Sequence, residues 1–394
     1  MNKIALSLIL ASLVGAAYAL SPDRIVEVTA QAGVSASNNY FPLSDVFQNP
    51  LVIDLDAMAA SLPSEGWTLA LGGAGEVGIN LRPSPYFRLG FFAGAEVTGF
   101  ANLPQSLFAL VSQGNALDQS YTGSLGLRGD VFAETGMWFG TRILGLDVTL
   151  RPAYYVPLLH VGNSTAAYTL ESGSDGSTNA TARASVPVYS AVPLNSTTGI
   201  SPDLDRLLHS GGVDLGLEAE YPVFKWLTLG IDFVHIPILL ARMDQETLFQ
   251  YDYDFSMSNV LANYSSSSLY QTSQTSSAAS STTPITVARP LDLDFHATIF
   301  PFSNPVLSLT PSIGLGVYDG TYINEGLKAE LNLGDWFILS LSSQLEDRLW
   351  NQELGVDLNL RLFEVDLLVG GQSSDFQASF NSGISASIGI KVGL

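Results

Sequence analysis

Hydrophobic and polar residues alternate one by one along most of this chain. The final segment shows the pattern most fully: Ile384, Ala386, Ile388, Ile390, Val392 and Leu394 interleave with Gly383, Ser385, Ser387, Gly389, Lys391 and Gly393. A period of two puts successive side chains on opposite faces of a strand, so one face suits hydrocarbon and the other water. The same parity recurs in Val26–Ala36, Trp67–Leu81, Phe87–Val97, Leu125–Met137, Leu144–Leu150, Val213–Tyr221 and Leu227–His235. It continues through Leu291–Ile299, Leu307–Val317, Leu327–Leu333, Phe337–Leu345, Leu354–Leu360 and Val365–Val369, which with the last segment makes fourteen strands. A soluble sandwich also alternates, but it does not need so many long strands. The pattern predicts an all-β fold, a transmembrane antiparallel β-barrel of about 14 strands.

Connection lengths test this independently, because such barrels have short turns at the periplasmic end and long loops outside. If the first strand runs outward, every second connection must be short, and Pro83–Pro85, Gly140–Ile143, Pro222–Trp226, Pro301–Pro305, Gly334–Trp336 and Leu362–Glu364 are. The long segments 38–66, 101–122, 159–210 and 242–288 all fall on the other side, with shorter ones near 319, 348 and 374–381. Both termini then lie in the periplasm.

Two stretches have helical spacing. Asp54–Leu62 groups Leu55, Met58, Ala59 and Leu62, carries Asp54 and Asp56 at its start and stops before Pro63. Pro104–Gln113 groups Leu107, Leu110 and Val111 before Gly114-Asn115. Each reads as a plug or lid, or as plain loop packing. Ser265–Ser268 and Thr272–Thr283 form a Ser/Thr-rich tract expected to be mobile. Four Asn-x-Ser/Thr matches, at Asn163, Asn179, Asn195 and Asn263, read as chance in such loops.

Composition narrows the class. Hydrophobic residues make up 46% of the chain and charged residues only 13%, yet after the N-terminal leader no long apolar run remains to span as a helix. That leader has Lys3, an apolar run from Ile4 to Ala17 and the small-x-small pattern Ala17-Tyr18-Ala19, so residues 1–19 read as a signal peptide and 20–394 as the barrel. With no cysteine, thiol chemistry and Cys-based zinc sites are excluded, and a net charge of −21 with 16 scattered basic residues argues against nucleic acid. Outer-membrane lipid is the expected partner, in the cell outer membrane of a diderm bacterium.

Aromatic residues gather near strand ends, where girdles meet the headgroups: Tyr86, Phe139, Tyr154, Tyr155, Tyr221, Trp226, Phe300, Tyr318, Trp336, Trp350 and Phe363. The inward parity carries Glu76, Glu96, Asp130, Glu134, Asp147, Asp214, Glu218, Glu220, Asp232, Asp292, Asp294, Glu330 and Asp357. Facing them are Arg82, Arg88, Arg128, Arg151, Lys328, Arg361 and Lys391. The surplus of carboxylates fits either a lumen cross-linked by ion pairs or a pore that disfavours anions.

No G-x-S-x-G elbow, H-E-x-x-H, P-loop or G-x-G-x-x-G junction is present, so no catalytic residue is assigned. His160, His209, His235 and His296 are scattered; His209 lies near Asp203 and Asp205, a grouping read as solvated loop, and neither metal nor cofactor is expected.

The leader, an early strand, the run Val52-Ile53-Asp54-Leu55-Asp56, then Leu103-Pro104-Gln105-Ser106-Leu107 leading to Gln113-Gly114-Asn115, and the Gly-rich last strand together resemble outer-membrane proteins related to FadL-type fatty-acid transporters. The resemblance spans most of the mature chain. It implies a fourteen-stranded barrel with an N-terminal hatch and passage of hydrophobic molecules. Its Asn-Pro-Ala hatch element has its nearest match at Asn49-Pro50-Leu51, where the third residue differs. Asn49, Pro50, Leu55, Met58 and Leu62 are thus the candidate hatch. Two functions stand: a channel for small hydrophobic cargo, or a surface structural or adhesion barrel without transport.

Overall fold

A computed structural model describes residues 24–46, 53–64, 66–191, 208–259, 270–318, 320–334, 336–346, 348–360 and 362–394. The leader, Asn49, Pro50, Asp203, Asp205, Ser265–Ser268 and Arg361 lie outside the described residues. Among the described residues, the α-helices α1 (Leu43–Val46), α2 (Leu55–Ser61) and α3 (Gln105–Gln113) and a 3-10 turn at Ala378–Phe380 interrupt the strands. Its strands are β1 (Val26–Asn38), β2 (Trp67–Ser84), β3 (Phe87–Leu103), β4 (Ser120–Ile143), β5 (Leu146–Val161), β6 (Thr165–Ser172) and β7 (Thr178–Ser190). They continue as β8 (Gly212–Phe224), β9 (Leu227–Leu239), β10 (Ala241–Met243), β11 (Gln245–Met257), β12 (Tyr270–Ser281) and β13 (Ile285–Val287). The last seven are β14 (Leu291–Ile299), β15 (Leu307–Val317), β16 (Thr321–Asn332), β17 (Phe337–Glu346), β18 (Leu349–Asn359), β19 (Phe363–Ser373) and β20 (Ile384–Gly393).

Antiparallel pairing runs β1–β5, then β8, β9 and β14–β20, and β20 returns to β1 with Val28 opposite Val392. These fourteen staves are the fourteen alternating segments of the sequence. Closure leaves no open edge, the condition for a sheet to stand in hydrocarbon. At the rim β6 continues β5 upward along the same edge of β4, and β7 turns back beside both, on the edge of β5 that β8 leaves free; counting β6 and β7, the closed path has sixteen strands.

The staves are long because every second side chain can face lipid. Val28 in β1, Phe91 in β3, Ile313 in β15, Leu341 in β17 and Ile388 in β20 are all exposed on the outward face. Short turns close the other end: at the β4–β5 turn Leu144 (φ 54°) and Gly145 (φ 88°) both take the left-handed conformation of a tight hairpin. Leu144 is thus a turn residue and not the start of a strand.

Above the rim the expected loops contain regular structure. β7 pairs with β11 along its whole length, and β11 with β12, so β4, β6, β7, β11 and β12 form an upright apron. Thr272–Ser281, expected to be mobile, is strand β12. The tract contains neither Gly nor Pro, and the open edge of β11 offers its backbone a complete ladder, so it needs no core of its own.

Candidate functional site

Parity on the staves turns a dense set of charged side chains into the lumen. Arg151 on β5 reaches Glu76 on β2 and, at 3.4 Å, Glu134 on β4, while its guanidinium lies 3.9 Å over the Phe92 ring. Asp130 accepts from the Tyr318 hydroxyl and lies 2.6 Å from His160 Nδ1. Arg88 stands 3.8 Å from Asp147, and Arg128 lies 4.7 Å over Phe100. Arg82 follows Asn80 on the same face of β2. Asp292 accepts from Asn324. Glu218, Asp232 and Asp294 oppose one another directly across β8, β9 and β14, a row of like charges, and His296 bridges Asp232 (3.2 Å) and Glu220 (3.3 Å). Gly230 opposes His296; a β-carbon there would lie 2.1 Å from the imidazole and would push the ring off its two carboxylates.

The ceiling of this region comes from a loop. Between β9 and β14 the chain turns inward, and β10 and β13 pair as a short ribbon whose Ala241, Met243 and Val287 are buried against Phe132 and Tyr155. The Tyr155 hydroxyl donates to the Val287 carbonyl (2.9 Å) and accepts from the Ala241 N–H (3.3 Å). Just after the ribbon, the Arg289 side chain is 2% exposed; it grips Asp214 through two nitrogens (2.8 and 2.9 Å) and Glu134 through the third (2.5 Å). Its guanidinium also lies 5.2 Å from the Tyr155 ring. His235, at φ 57° in the irregular part of β9, donates from Nδ1 to the Pro290 carbonyl (2.9 Å). Arg289 had no place in the parity scheme, because it sits on no stave.

Below this ceiling lies a cavity of about 460 Å³. Its wall holds eight carboxylates, Glu76, Glu96, Glu134, Asp147, Asp214, Glu218, Glu220 and Asp232, against Arg88, Arg142, Arg151 and Arg289. Trp138, Phe233 and several alanines complete it. The excess of acids repels anions from the space.

A second network closes the short-turn end. Arg24, 1% exposed, pairs with Glu27 (2.7 Å) and Glu364 (3.4 Å) and donates to Asn359 (3.3 Å). Asn80 donates to Glu27 and accepts from Trp138, and Lys391 binds Glu364 and Asp366. Asp357, Glu364 and Asp366 bring ligand-type oxygens within 4.8 Å of one another, but the Lys391 ammonium already supplies their counter-charge.

The structural neighbours include FadL-type channels. A TodX monoaromatic hydrocarbon channel mutant covers 95% of this chain and 91% of its own, at 9% identity and TM-score 0.47. The toluene transporter TbuX of Ralstonia pickettii covers 94% and 90%, at 10% and 0.43; a Pseudomonas aeruginosa FadL homologue covers 94% and 90%, at 8% and 0.42. These belong to the group the sequence resembles. No protein-family model and no curated protein matches the chain.

The helices occupy a different place from the insert. α2 is capped by Asp54, whose carboxylate accepts from Ala57 N–H (2.9 Å). Its Met58 and Leu62, with Leu55, pack with Phe41 and Phe108 onto Trp67 and Leu103. Trp67 and Leu103 oppose each other on the lipid-facing parity of β2 and β3, so the α2–α3 pair rests on the outer flank of the rim. The lumen itself is roofed by the β10–β13 insert. Tyr155 and Tyr318, read from sequence as girdle residues, also point inward: Tyr155 shares the parity of Arg151 and Ala153 and is fully buried, and Tyr318 meets Asp130.

Proposed function

We propose that the chain forms an outer-membrane channel for small, uncharged hydrophobic molecules, held shut by the insert that carries Arg289. One observation carries this reading: a cavity of about 460 Å³ lies under a roof that belongs to a loop and not to the wall. A barrel serving only as an anchor needs neither an inner chamber nor a detachable roof. The cargo class follows from the linings. Eight carboxylates disfavour anions, whereas lifting the insert would bare Phe132, Tyr155, Met243 and Val287 along the path. Leu55, Met58 and Leu62, candidate hatch residues, are proposed instead to hold α2 against the rim. The alternative, an adhesion barrel without transport, is favoured by the apron.

Single-channel conductance and uptake of an apolar fluorescent probe in proteoliposomes decide between them. Wild-type barrels should conduct little, and Arg289→Ala should raise both signals while the barrel keeps its resistance to heat in detergent. If Arg289→Ala and deletion of 241–243 both leave a folded barrel with unchanged conductance and uptake, the channel reading fails and adhesion takes its place.

A further inference from the structure

The apron has two unlike faces. Directly opposed residues of antiparallel strands share a face, and the row Leu125, Ala166, Ala184, Tyr251, Ser276 runs unbroken from β4 to β12. Leu125 has the parity of Leu127, an exposed lipid-facing residue of the wall. The apron face that carries Tyr251 is therefore the upward continuation of the lipid-facing surface. On it β11 presents Phe249, Tyr251, Tyr253, Phe255 and Met257, every second residue, so rings recur roughly 7 Å apart. Opposite them β7 gives alanines at 180, 182 and 184, and β12 gives Thr272, Gln274 and Ser276. The charges of these three strands, Arg183, Glu246, Asp252 and Asp254, all fall on the other face.

Phe249 is 44% and Tyr251 37% exposed, and with Val186, Ser276 and Ala278 they border a shallow concavity of about 450 Å³. Large exposed rings on one face of a sheet mark a binding surface. We propose that this face holds the saccharide chains of outer-leaflet glycolipids. Its continuity with the lipid-facing wall sets it in the zone just above the headgroups, where those chains stand. Stacked rings match the apolar faces of sugar rings, and the hydroxyl and amide groups of β12 match their hydroxyls. The lack of charge on this face selects neutral sugars over phosphates.

The test uses the full-length barrel in detergent micelles and the soluble oligosaccharide released by mild acid from smooth lipopolysaccharide, with lipid A alone as the second probe. Tyrosine fluorescence or saturation-transfer NMR should detect the oligosaccharide. Tyr251→Ala and Tyr253→Ala should each weaken it about two- to tenfold, as loss of one stacked ring does. Tyr251→Leu, which keeps the apolar surface, should weaken it too, and Asp252→Asn on the opposite face should not. Circular dichroism and heat-modifiable migration verify that each variant is folded. The proposal is overturned if the oligosaccharide does not bind, whether or not lipid A does, if Asp252→Asn weakens binding as much as Tyr251→Ala, or if the tyrosine variants abolish a cross-linked pair of barrels while leaving sugar binding intact.

Discussion

Two buried ion-pair networks use the same chemistry to different ends. At the short-turn end, Glu27, Glu364, Asp366 and Lys391 lie on β1, β19 and β20, staves already held by the backbone ladder, and Arg24 adjoins Ile25, whose N–H bonds the Leu394 carbonyl and whose carbonyl accepts from Arg82 N–H. Under the roof, Arg289 joins a loop to Asp214 on β8 and Glu134 on β4. In the first case both sides belong to one wall, so the pairs add stability to something that stays closed anyway. In the second, one side can leave. The difference teaches that a buried salt bridge acts as a latch only where one partner lies outside the main hydrogen-bonded frame.

The largest expected effect comes from breaking the latch. Removing one partner of a buried pair typically costs about 3–5 kcal/mol because the other charge is left without compensation. Here the lost energy falls on the closed position, since Asp214 and Glu134 can take up lumen water once the loop swings away. Arg289→Ala should therefore shift the closed-to-open ratio about 10²-fold to several thousandfold, at ~1.4 kcal/mol per decade, while the unfolding temperature of the wall barely moves. A fall in unfolding temperature with no gain in conductance would make the Arg289 network structural, like the lower one.

Next in size is a substitution on the staves away from both networks. Ile388→Arg places a charge on the lipid face of β20 and should cost roughly 2–4 kcal/mol near the bilayer midplane. Ser387→Arg, one residue away and facing the lumen, should be tolerated. Urea titration of refolding in vesicles measures both, and equal losses would dissolve the distinction between wall and lumen on which the comparison depends.

Within the lower network, Glu27→Gln removes one charge and leaves Arg24 with Glu364 at 3.4 Å. A hydrogen bond to a charged group is worth about 1.5–3 kcal/mol, so stability should drop by that order while conductance stays at the wild-type level. An open channel in Glu27→Gln would mean that the lower network also gates.

The staves were legible because their alternation has high contrast, Ile or Leu against Gly or Ser, and because turn lengths supply a second constraint. The apron was not, although β11 carries a readable signal: Phe249, Tyr251, Tyr253 and Phe255 alternate with Gln250, Asp252 and Asp254. In β7 the same alternation is carried by alanine and in β12 by Ser, Thr and Ala, where hydropathy differs little between faces. Parity located Glu134, Asp214 and Arg151, but nothing in the sequence marks Arg289, because a residue on a connecting loop has no face until the loop is placed. The helices failed in the opposite way. Their spacing and caps were readable at Asp54 and Gly114, yet spacing could not say whether α2 turned into the barrel or lay on Trp67 and Leu103.

The smallest effect belongs to a carboxylate outside both networks. Asp175 lies in the turn between β6 and β7, where it accepts from the Ser177 N–H (3.0 Å) and hydroxyl (2.7 Å), and these bonds hold its carboxyl below the usual carboxylate range. A group whose pKa is lowered by folding lends its order to the turn above its unfolded value, about 3.9, and withdraws it as pH falls through the depressed value. The Ser177 amide resonance should therefore titrate with a midpoint below about 3.9, and Asp175→Asn should abolish the transition. Because the group is fully solvated and no stave or latch depends on it, channel closure and wall stability should be the same in Asp175→Asn as in wild type. A midpoint at or above the unfolded value would show that two hydrogen bonds in water do not hold this turn, and that burial, which both ion-pair networks have and Asp175 lacks, is what gives such contacts their strength.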